Sequence, residues 1–487
     1  EDVMTGIKNA MSVVLSDPKV DREQIGYAML GTTHCTNAIV ERKRLDRTAV
    51  IRLGAPATAA IKPMIDWPAD LRAAINDQWF LVAGGHEFDG REISKLDEAR
   101  LAEIAKEIKG TCDSVAITSV FSPVDDSHEK RAAQIIREEL GEDFPISISS
   151  EIGSVSLLER ENATILNAAL VDVARTTSES FIEALEEEGI KDAEIYLCQN
   201  DGTLMSAEYA MRYPILTIAC GPTNSIRGAS FLTGLKDAVV VDVGGTTTDL
   251  GVLTHGFPRE SMLAVEIGGV RTNFRMPDII SIGLGGGSIV REHEDGTVTV
   301  GPDSVGYKVT KEALCFGGSV LTATDIVVAS GAVTGVGDPA LVAHLDPELV
   351  KKAAACMTQM VEDCVDRMKT TAGDIEVILV GGGSILVPDT LKGVSQVFKP
   401  ANFGVANAIG SAISQVSGQI EKVYSLEKIG GRAAALADAK ALATEEAIKA
   451  GADPDTIEII DVEDVPLAYL PGNATRVRVK AVGDLKI

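Results

Sequence analysis

The sequence predicts an α/β protein, and three observations carry that prediction. Short apolar, β-branched runs alternate with longer helical patterns along the chain. Aromatic residues make up only 4%, so Ala, Val, Ile and Leu must build the core. Glycines, 46 in all, gather at the ends of predicted strands, where the backbone must turn tightly.

Strands are expected at Ala49–Leu53, Ser114–Thr118, Ile146–Ser149, Glu194–Cys198, Ala238–Val243, Leu250–Leu253 and Val377–Val380. Helices are expected at Asp97–Lys109, Asp126–Leu140, Glu159–Glu188, Pro347–Thr370 and Ala433–Ala450. Leu157–Gly189 is the longest helical pattern, with Ile165, Leu166, Ala169, Leu170, Val173, Phe181 and Leu185 on one stripe and Gly189 as its stop. From Gly221 to Gly301 three glycine clusters lie between short apolar strands, which reads as a ligand-binding core. The last stretch, 421–487, reads as a small α+β appendage: an Ala-rich helix, Thr456–Asp461, a turn at Pro471-Gly472-Asn473, then Arg476–Ala481.

The 487 residues include 71 acidic and 45 basic side chains, a net charge of −26. Nothing in that balance displaces phosphate counterions, so nucleic acid is excluded as an expected partner, and an anionic membrane surface likewise. No apolar run approaches the ~18 residues of a membrane span. The chain opens at Glu1 directly into a helical pattern, so it is expected to lack its natural beginning. Cys35, Cys112, Cys198, Cys220, Cys315, Cys356 and Cys364 are scattered without a C-x-x-C pair, and the 6 His show no ligand spacing. Reduced core thiols, no internal zinc site and a cytoplasmic protein are the expectations.

The sharpest chemical feature is Asp242-Val243-Gly244-Gly245-Thr246-Thr247-Thr248-Asp249. A buried strand ends in an acid, a Gly-Gly-Thr turn follows, and a second strand leaves. Glycines let backbone N–H groups approach an anion, and the hydroxyls of Thr246 and Thr247 add donors. Asp242 is placed to hold Mg²⁺ or its waters, and Asp249 lies across the turn. A structural hairpin is the alternative, but an acid on each side of the turn favours phosphate binding. A second strand runs into Gly381-Gly382-Gly383-Ser384, with no acid at its tip. Bare backbone there suits a flat ring such as adenine, and a tight strand-to-helix connection suits it equally. Two further blocks are Ser281-Ile282-Gly283-Leu284-Gly285-Gly286-Gly287-Ser288, preceded by Asp278, and Gly31-Thr32-Thr33-His34-Cys35-Thr36-Asn37-Ala38 at a helix start. Neither a Walker A loop nor a dinucleotide fingerprint is present.

Asp242–Asp249 resembles the second phosphate motif of the actin, sugar kinase and Hsp70-like ATPase superfamily, and Gly381–Ser384 resembles its adenosine motif. Within that superfamily most of the chain is similar to the hydantoinase A/5-oxoprolinase family. Matching blocks include Gly31–Ala38, Gly84-Gly85-His86-Glu87-Phe88-Asp89-Gly90, His128-Glu129, Glu159-Arg160, Asn167-Ala168, Cys220-Gly221-Pro222, Ser281–Ser288 and Thr322-Ala323-Thr324-Asp325. The resemblance implies a two-lobed actin-like (ribonuclease H-like) fold with mixed central sheets. It divides the chain into an N-terminal domain over 1–168, an ATPase domain over 169–420 and the appendage over 421–487. It implies ATP and Mg²⁺ as cofactors and phosphorylation of a cyclic amide, such as a hydantoin or 5-oxoproline, with a B-type partner completing hydrolysis. On this reading Asp242 and Asp249 are catalytic, with Asp242 on the metal. Gly244, Gly245, Thr246, Thr247, Gly285, Gly286, Gly381, Gly382, Gly383 and Ser384 bind the nucleotide. Self-association is compatible with such an enzyme.

The chain departs from the family pattern in three places. The first Asp-Gly-Gly-Thr phosphate hairpin is absent, the substrate-contact block reads Gln199-Asn200-Asp201-Gly202, and the long C-terminal extension of larger relatives is missing. The family also includes carboxylase subunits. A carboxylase- or kinase-like subunit acting on a small carbonyl compound, or a nucleotide-sensing subunit, is therefore the alternative. His34-Cys35 as a catalytic dyad is disfavoured, because adjacent residues point apart. His128-Glu129 is read as structural.

Overall fold

The structure, a computed structural model, describes residues 3–153, 155–261, 265–274, 276–468, 470 and 472–486. The chain forms two compact units. The first comprises Glu1–Ile218, Ser261–Met276 and Gln415–Ile487, and the second comprises Ala219–Glu260 and Pro277–Ser414. No helix among the described residues is long and apolar enough to cross a membrane.

The first unit holds a parallel four-stranded sheet in the order Gln78–Ala83, Thr48–Ala55, Ser114–Ser119, Ile146–Ile148. Its central strands are buried on both faces, as parallel strands between helices must be. Ala49, Ile51 and Leu53 meet Leu101, Ile104 and Ile108 of the Glu98–Ile108 helix and Ala132 and Ile136 of the Ser127–Leu140 helix. Arg52 points to the opposite face and is fully buried there. It forms a bidentate pair with Glu161 of the Leu157–Ala168 helix, at 2.6 and 2.5 Å, and donates to the Ile61 carbonyl.

The long helix expected over Leu157–Gly189 is two helices, Leu157–Ala168 and Val171–Glu187. No Pro or Gly marks the break. The cause is Asp46, distant in sequence: its backbone N–H donates to the Ala169 carbonyl, and its carboxylate accepts the Asp172 N–H at 3.0 Å. A first-turn donor of the second helix is thereby satisfied from outside. Burial pushes the Asp46 carboxyl up to about 6.

A six-stranded sheet completes this unit, in the order Tyr27–Leu30, Glu194–Cys198, Leu204–Ser206, Val416–Ser425, Ala474–Gly483, Glu458–Pro466. The 421–487 stretch, expected as an α+β appendage, thus lies in the same sheet as strands from residues 27–30 and 194–206. Of the turn expected at 471–473, Pro471 lies outside the described residues. Ala435, Ala439, Ala443 and Ala447 form a wholly buried stripe on the Arg432–Lys449 helix. A Cβ at Gly418 would strike the backbone of Ala443 and Ala447, so this helix lies directly on the strand. Lys480 closes on Asp201 at 2.7 Å, both buried. Burial would raise the Asp201 carboxyl, but Lys480 and the hydrogen bonds from Thr203 hold it below the usual range.

In the second unit the sheet order is Phe257–Pro258, Thr248–Thr254, Ala238–Val243, Ile375–Val380, Val394–Phe398, with Ile279–Ile282 also pairing with Thr248–Thr254. Alternation assigns the faces. Val239, Val241, Val243, Leu250 and Leu379 pack with Ile326 of the Ala323–Ala329 helix and Val361 and Val365 of the Pro347–Met368 helix. Ala238, Val240, Leu253, Ile378 and Val380 pack with Ile226 and Ala229 of the Cys220–Thr233 helix and Ala406 of the Ala406–Ile413 helix. The Cys220–Thr233 helix was not anticipated, because Gly221, Pro222 and Gly228 disguise it. Those glycines have a use: a Cβ at Gly228 would strike the Ala406 backbone, so the two helices pack main chain to main chain.

The Arg52–Glu161 pair yields a clear test. Arg52→Met strands a buried carboxylate and is expected to cost about 3–5 kcal/mol in urea unfolding, whereas the double variant Arg52→Met/Glu161→Leu recovers most of that loss.

Candidate active site

The Asp242–Asp249 motif is an antiparallel hairpin in the second unit. Its strands, Ala238–Val243 and Thr248–Thr254, pair so that Asp242 stands opposite Asp249, and Gly244 N–H donates to the Thr247 carbonyl at 2.8 Å across the turn. Parity places both carboxyls on the face of Val240 and Leu253, beneath the Cys220–Thr233 helix. The register continues outward, with Val380 opposite Asp242 and Ser281 opposite Asp249.

Gly244–Thr247, Gly283–Ser288 and Gly381–Ser384, three loops from three parts of the sequence, meet at the hairpin tip. Gly383 N–H donates to the Val243 carbonyl at 2.7 Å, Gly286 N–H to the Gly244 carbonyl at 3.1 Å, and Gly287 N–H to the Gly245 carbonyl at 2.7 Å. The Thr248 hydroxyl donates to the Leu284 carbonyl at 2.6 Å. Such contacts require bare backbone. A Cβ on Gly285 would lie 2.5 Å from the Thr246 nitrogen, one on Gly383 2.5 Å from the Gly244 oxygen, and one on Gly381 would collide with the Asp242 carboxyl. A fourth segment joins through Thr324, whose N–H and hydroxyl both donate to the Gly286 carbonyl, at 3.1 and 2.8 Å. Thr324 is fixed by a capping box in which the Thr322 side chain and Asp325 exchange hydrogen bonds at the start of the Ala323–Ala329 helix.

The glycines therefore divide into two groups. Gly285, Gly287, Gly381 and Gly383 are spent on packing loop against loop. Gly245 and Gly382 face open space, with nothing within 4 Å of a Cβ position, and Gly245, Thr246 and Thr247 are exposed. Open tips of backbone N–H and hydroxyl groups beside two carboxyls make a cradle for a phosphate with a divalent cation. The donor set is all oxygen, which suits Mg²⁺ rather than a softer metal. Ser384 is buried and begins a short 3₁₀ turn.

Burial raises the Asp242 carboxyl above the usual aspartate range, and the Ser225 hydroxyl pulls against that shift. Asp249 is raised by burial and by the Asp242 charge, with the Ser281 hydroxyl opposing. Ser225 and Ser281 stand beside these two carboxyls and were not singled out from the sequence. In the sequence Ser281 reads only as the edge of a glycine block. Ser225 sits in a run of small polar residues, Thr223-Asn224-Ser225, within a buried helix, and that run is the signal that would have found it.

Other candidates resolve into structural roles. Asp278, ahead of the third glycine block, pairs with Arg259 at 2.6 Å. His34 bonds Thr32 through Nδ1 at 2.7 Å rather than Cys35, whose thiol burial pushes up to about 11. Glu129 is wholly buried and accepts from Ser119 N–H, Ser150 N–H and the Ser149 hydroxyl. His128 accepts the Gly85 N–H at 3.0 Å, and its other nitrogen faces Glu92 at 3.1 Å. Arg160 and Asn167 hold the first unit together: Arg160 donates to Ser149 and the Ser119 carbonyl, and Asn167 donates to Ser147 and the Arg212 carbonyl. Six of the seven cysteines are buried thiols.

Two family models match the chain: Hydantoinase/oxoprolinase over residues 160–370, and Hydantoinase/oxoprolinase N-terminal region over 1–140. Caprolactamase subunit alpha of Pseudomonas jessenii is 30% identical over 251 residues, 50% of this chain and 35% of that protein. The acetone carboxylase beta subunit of Xanthobacter autotrophicus is 26% identical over 231 residues, 45% of this chain and 31% of that protein. The chain thus spans about a third to a half of the length of these curated relatives. The crystal structure of the ATP-dependent caprolactamase from Pseudomonas jessenii shares the fold, with a TM-score of 0.74 at 18% identity over 99% of this chain and 82% of that one.

Two tests follow from the geometry. Gly381→Ala is expected to cost at least about 1–3 kcal/mol in thermal or urea unfolding, since its φ of +85° and the Asp242 carboxyl both oppose a side chain, while Gly382→Ala is expected to be near neutral. A carboxyl with a raised value keeps a proton in the folded chain that the unfolded chain releases. Stability from Asp242 and Asp249 is therefore present below about pH 3.9, the unfolded value, and lost as pH rises through their raised folded values. Asp242→Asn is expected to flatten that fall and to melt higher than the parent at neutral pH, read by calorimetry across a pH series.

Proposed function

We propose, from a chain that belongs to the hydantoinase/oxoprolinase family, that it activates a cyclic amide, a hydantoin, 5-oxoproline or related lactam, by ATP-dependent phosphorylation for ring opening. The observation that carries this reading is the convergence of the open Gly244–Thr247 tip, the Gly285–Gly286 and Gly381–Ser384 loops and the Asp242–Asp249 pair in one place. In this reading the hairpin N–H groups and the Thr246 and Thr247 hydroxyls orient the phosphates. The open backbone at Gly382, within the Gly381–Ser384 loop, receives the adenosine. The amide oxygen attacks the γ-phosphorus as the bond to the bridging oxygen breaks, and ADP leaves with that electron pair. Asp249 accepts the ring N–H proton. The product is an O-phosphorylated imidate, whose carbon takes up water far more readily than the parent amide. In the tetrahedral adduct the protonated ring nitrogen leaves with the C–N electron pair, giving a ring-opened acyl phosphate that a second water hydrolyses to carboxylate and phosphate. Magnesium, when bound at Asp242, would supply charge stabilisation along the transferring phosphate.

Water addition is assigned to a B-type partner subunit, since the protein of which caprolactamase subunit alpha is a part is named as a multi-subunit enzyme. A cytoplasmic location and self-association belong to the same proposal. A second reading is supported by the acetone carboxylase beta subunit: phosphorylation of a small carbonyl compound rather than a lactam.

The deciding assay is ATP turnover across hydantoins, lactams and ketones, with and without a candidate partner, with products read by mass. Lactam-stimulated ADP release with ring-opened product is the expected result, and Asp242→Ala is expected to lose at least about 100-fold. Stimulation by a ketone alone moves the assignment to the carboxylase type. Turnover unchanged in Asp242→Ala removes this site from the chemistry.

A further inference from the structure

We propose that the cavity at the start of the Arg432–Lys449 helix binds an uncharged, largely apolar small molecule through an amide group. The cavity belongs to the first unit, and the proposal does not draw on the nucleotide reading of the second. Its volume is about 700 Å³, within the range of small-molecule sites. Leu426, Pro466, Leu467 and Leu470 give it apolar walls, and Glu427, Arg432, Asp464, Asn473 and Thr475 bring polar groups to it. Local contacts hold those walls. Leu467 N–H donates to the Ala474 carbonyl at 2.8 Å and Leu470 N–H to the Leu467 carbonyl at 2.9 Å, which closes the turn. Phe88 and Val423 pack on the cluster of Leu467, Leu470 and Ala474.

Strand parity brings a donor to this cavity. Gly418, which lies against the helix backbone, pairs with Ala481, so Ala481, Val479, Val477 and Thr475 share the helix face of the Ala474–Gly483 strand. The first three are wholly buried beneath the Ala-rich helix. Thr475, next in the row, lines the cavity instead: it is 2% exposed, and its hydroxyl has no hydrogen-bond partner among the described residues. Such a hydroxyl is rare and unfavourable, and a ligand carbonyl satisfies it. The helix itself starts at Gly431 without a side-chain cap, which adds backbone donors at that edge. Acceptors come from the carboxylates. Arg432 donates to Asp464 at 2.9 Å, and Glu427 is the third charged residue on the wall. One cation against two carboxylates disfavours an anion and offers acceptors to an N–H group. Donors and acceptors across leucine and proline walls match an uncharged amide, whose carbonyl accepts from the Thr475 hydroxyl while its N–H faces the carboxylates.

The test is an NMR titration of the full chain, without nucleotide, with N-acetylphenylalaninamide and with its carboxylate counterpart N-acetylphenylalanine. The amide is expected to saturate with a Kd of about 0.1–1 mM, a range set by its size, and the carboxylate to bind at least about 10-fold more weakly. Leu426→Trp, which fills the cavity, is expected to abolish saturable binding. Thr475→Val is expected to weaken it about 5-fold and to melt no lower than the parent, because it removes an unpaired buried hydroxyl, and Thr475→Ser is expected to keep the parent affinity. A parent that shows no saturable binding of the amide overturns the proposal, as does equal affinity for the carboxylate. Full retention of binding in Leu426→Trp and Thr475→Val overturns it too.

Discussion

Three main-chain hydrogen bonds, from Gly383, Gly286 and Gly287 to the carbonyls of Val243, Gly244 and Gly245, hold the second unit's candidate site in shape. Each joins a loop to the same hairpin, and at Gly383 and Gly287 the separation leaves no room for a side chain. The sheet beneath follows from this constraint. The Ala238–Val243 strand must lie between Thr248–Thr254 and Ile375–Val380 so that both loops reach its end. Asp242 and Asp249 then share one face by strand parity, not by adjacency in sequence.

Packing and chemistry are divided cleanly in this arrangement. On the face opposite the carboxyls, Val239, Val241 and Val243 build an aliphatic core with the Ala323–Ala329 and Pro347–Met368 helices. On the carboxyl face the same strand carries Val240 and then Asp242, so the apolar layer gives way to a polar end at the hairpin. Burial raises both carboxyls, and the cost is borne by the surrounding apolar packing. Functional sites commonly carry such unfavourable local terms, and the buried Asn224 carboxamide, without a hydrogen-bond partner among the described residues, falls into the same class.

The first unit relies on buried ion pairs rather than on aromatic bulk. Arg52–Glu161 and Asp201–Lys480 are each hidden from solvent and each join segments more than 100 residues apart. Motif residues that look chemical in the sequence, among them Glu129, Arg160 and Asn167, serve here as hydrogen-bonding centres for loop backbone. A polar residue matched to a family block is therefore no guide to catalysis until its partners are known. His34 and Cys35 make the same point: the ring bonds Thr32, and the thiol is held protonated by burial.

The α/β class, most strand and helix positions and the Asp242–Asp249 hairpin were legible in the sequence, because periodicity and glycine placement are local properties. An acid on either side of Gly-Gly-Thr-Thr-Thr, between apolar strands, is a pattern that few other arrangements satisfy. Three things were decided only by tertiary structure. The break between Ala168 and Val171 depends on Asp46, more than 100 residues away, capping a helix that local pattern would continue. The Cys220–Thr233 helix forms despite Gly and Pro because close packing on Ala406–Ile413 outweighs weak intrinsic propensity. The division of glycines into those that pack loops and those left open to a ligand is likewise invisible in sequence. A glycine's role is set by which backbone lies opposite it, and that is a long-range contact.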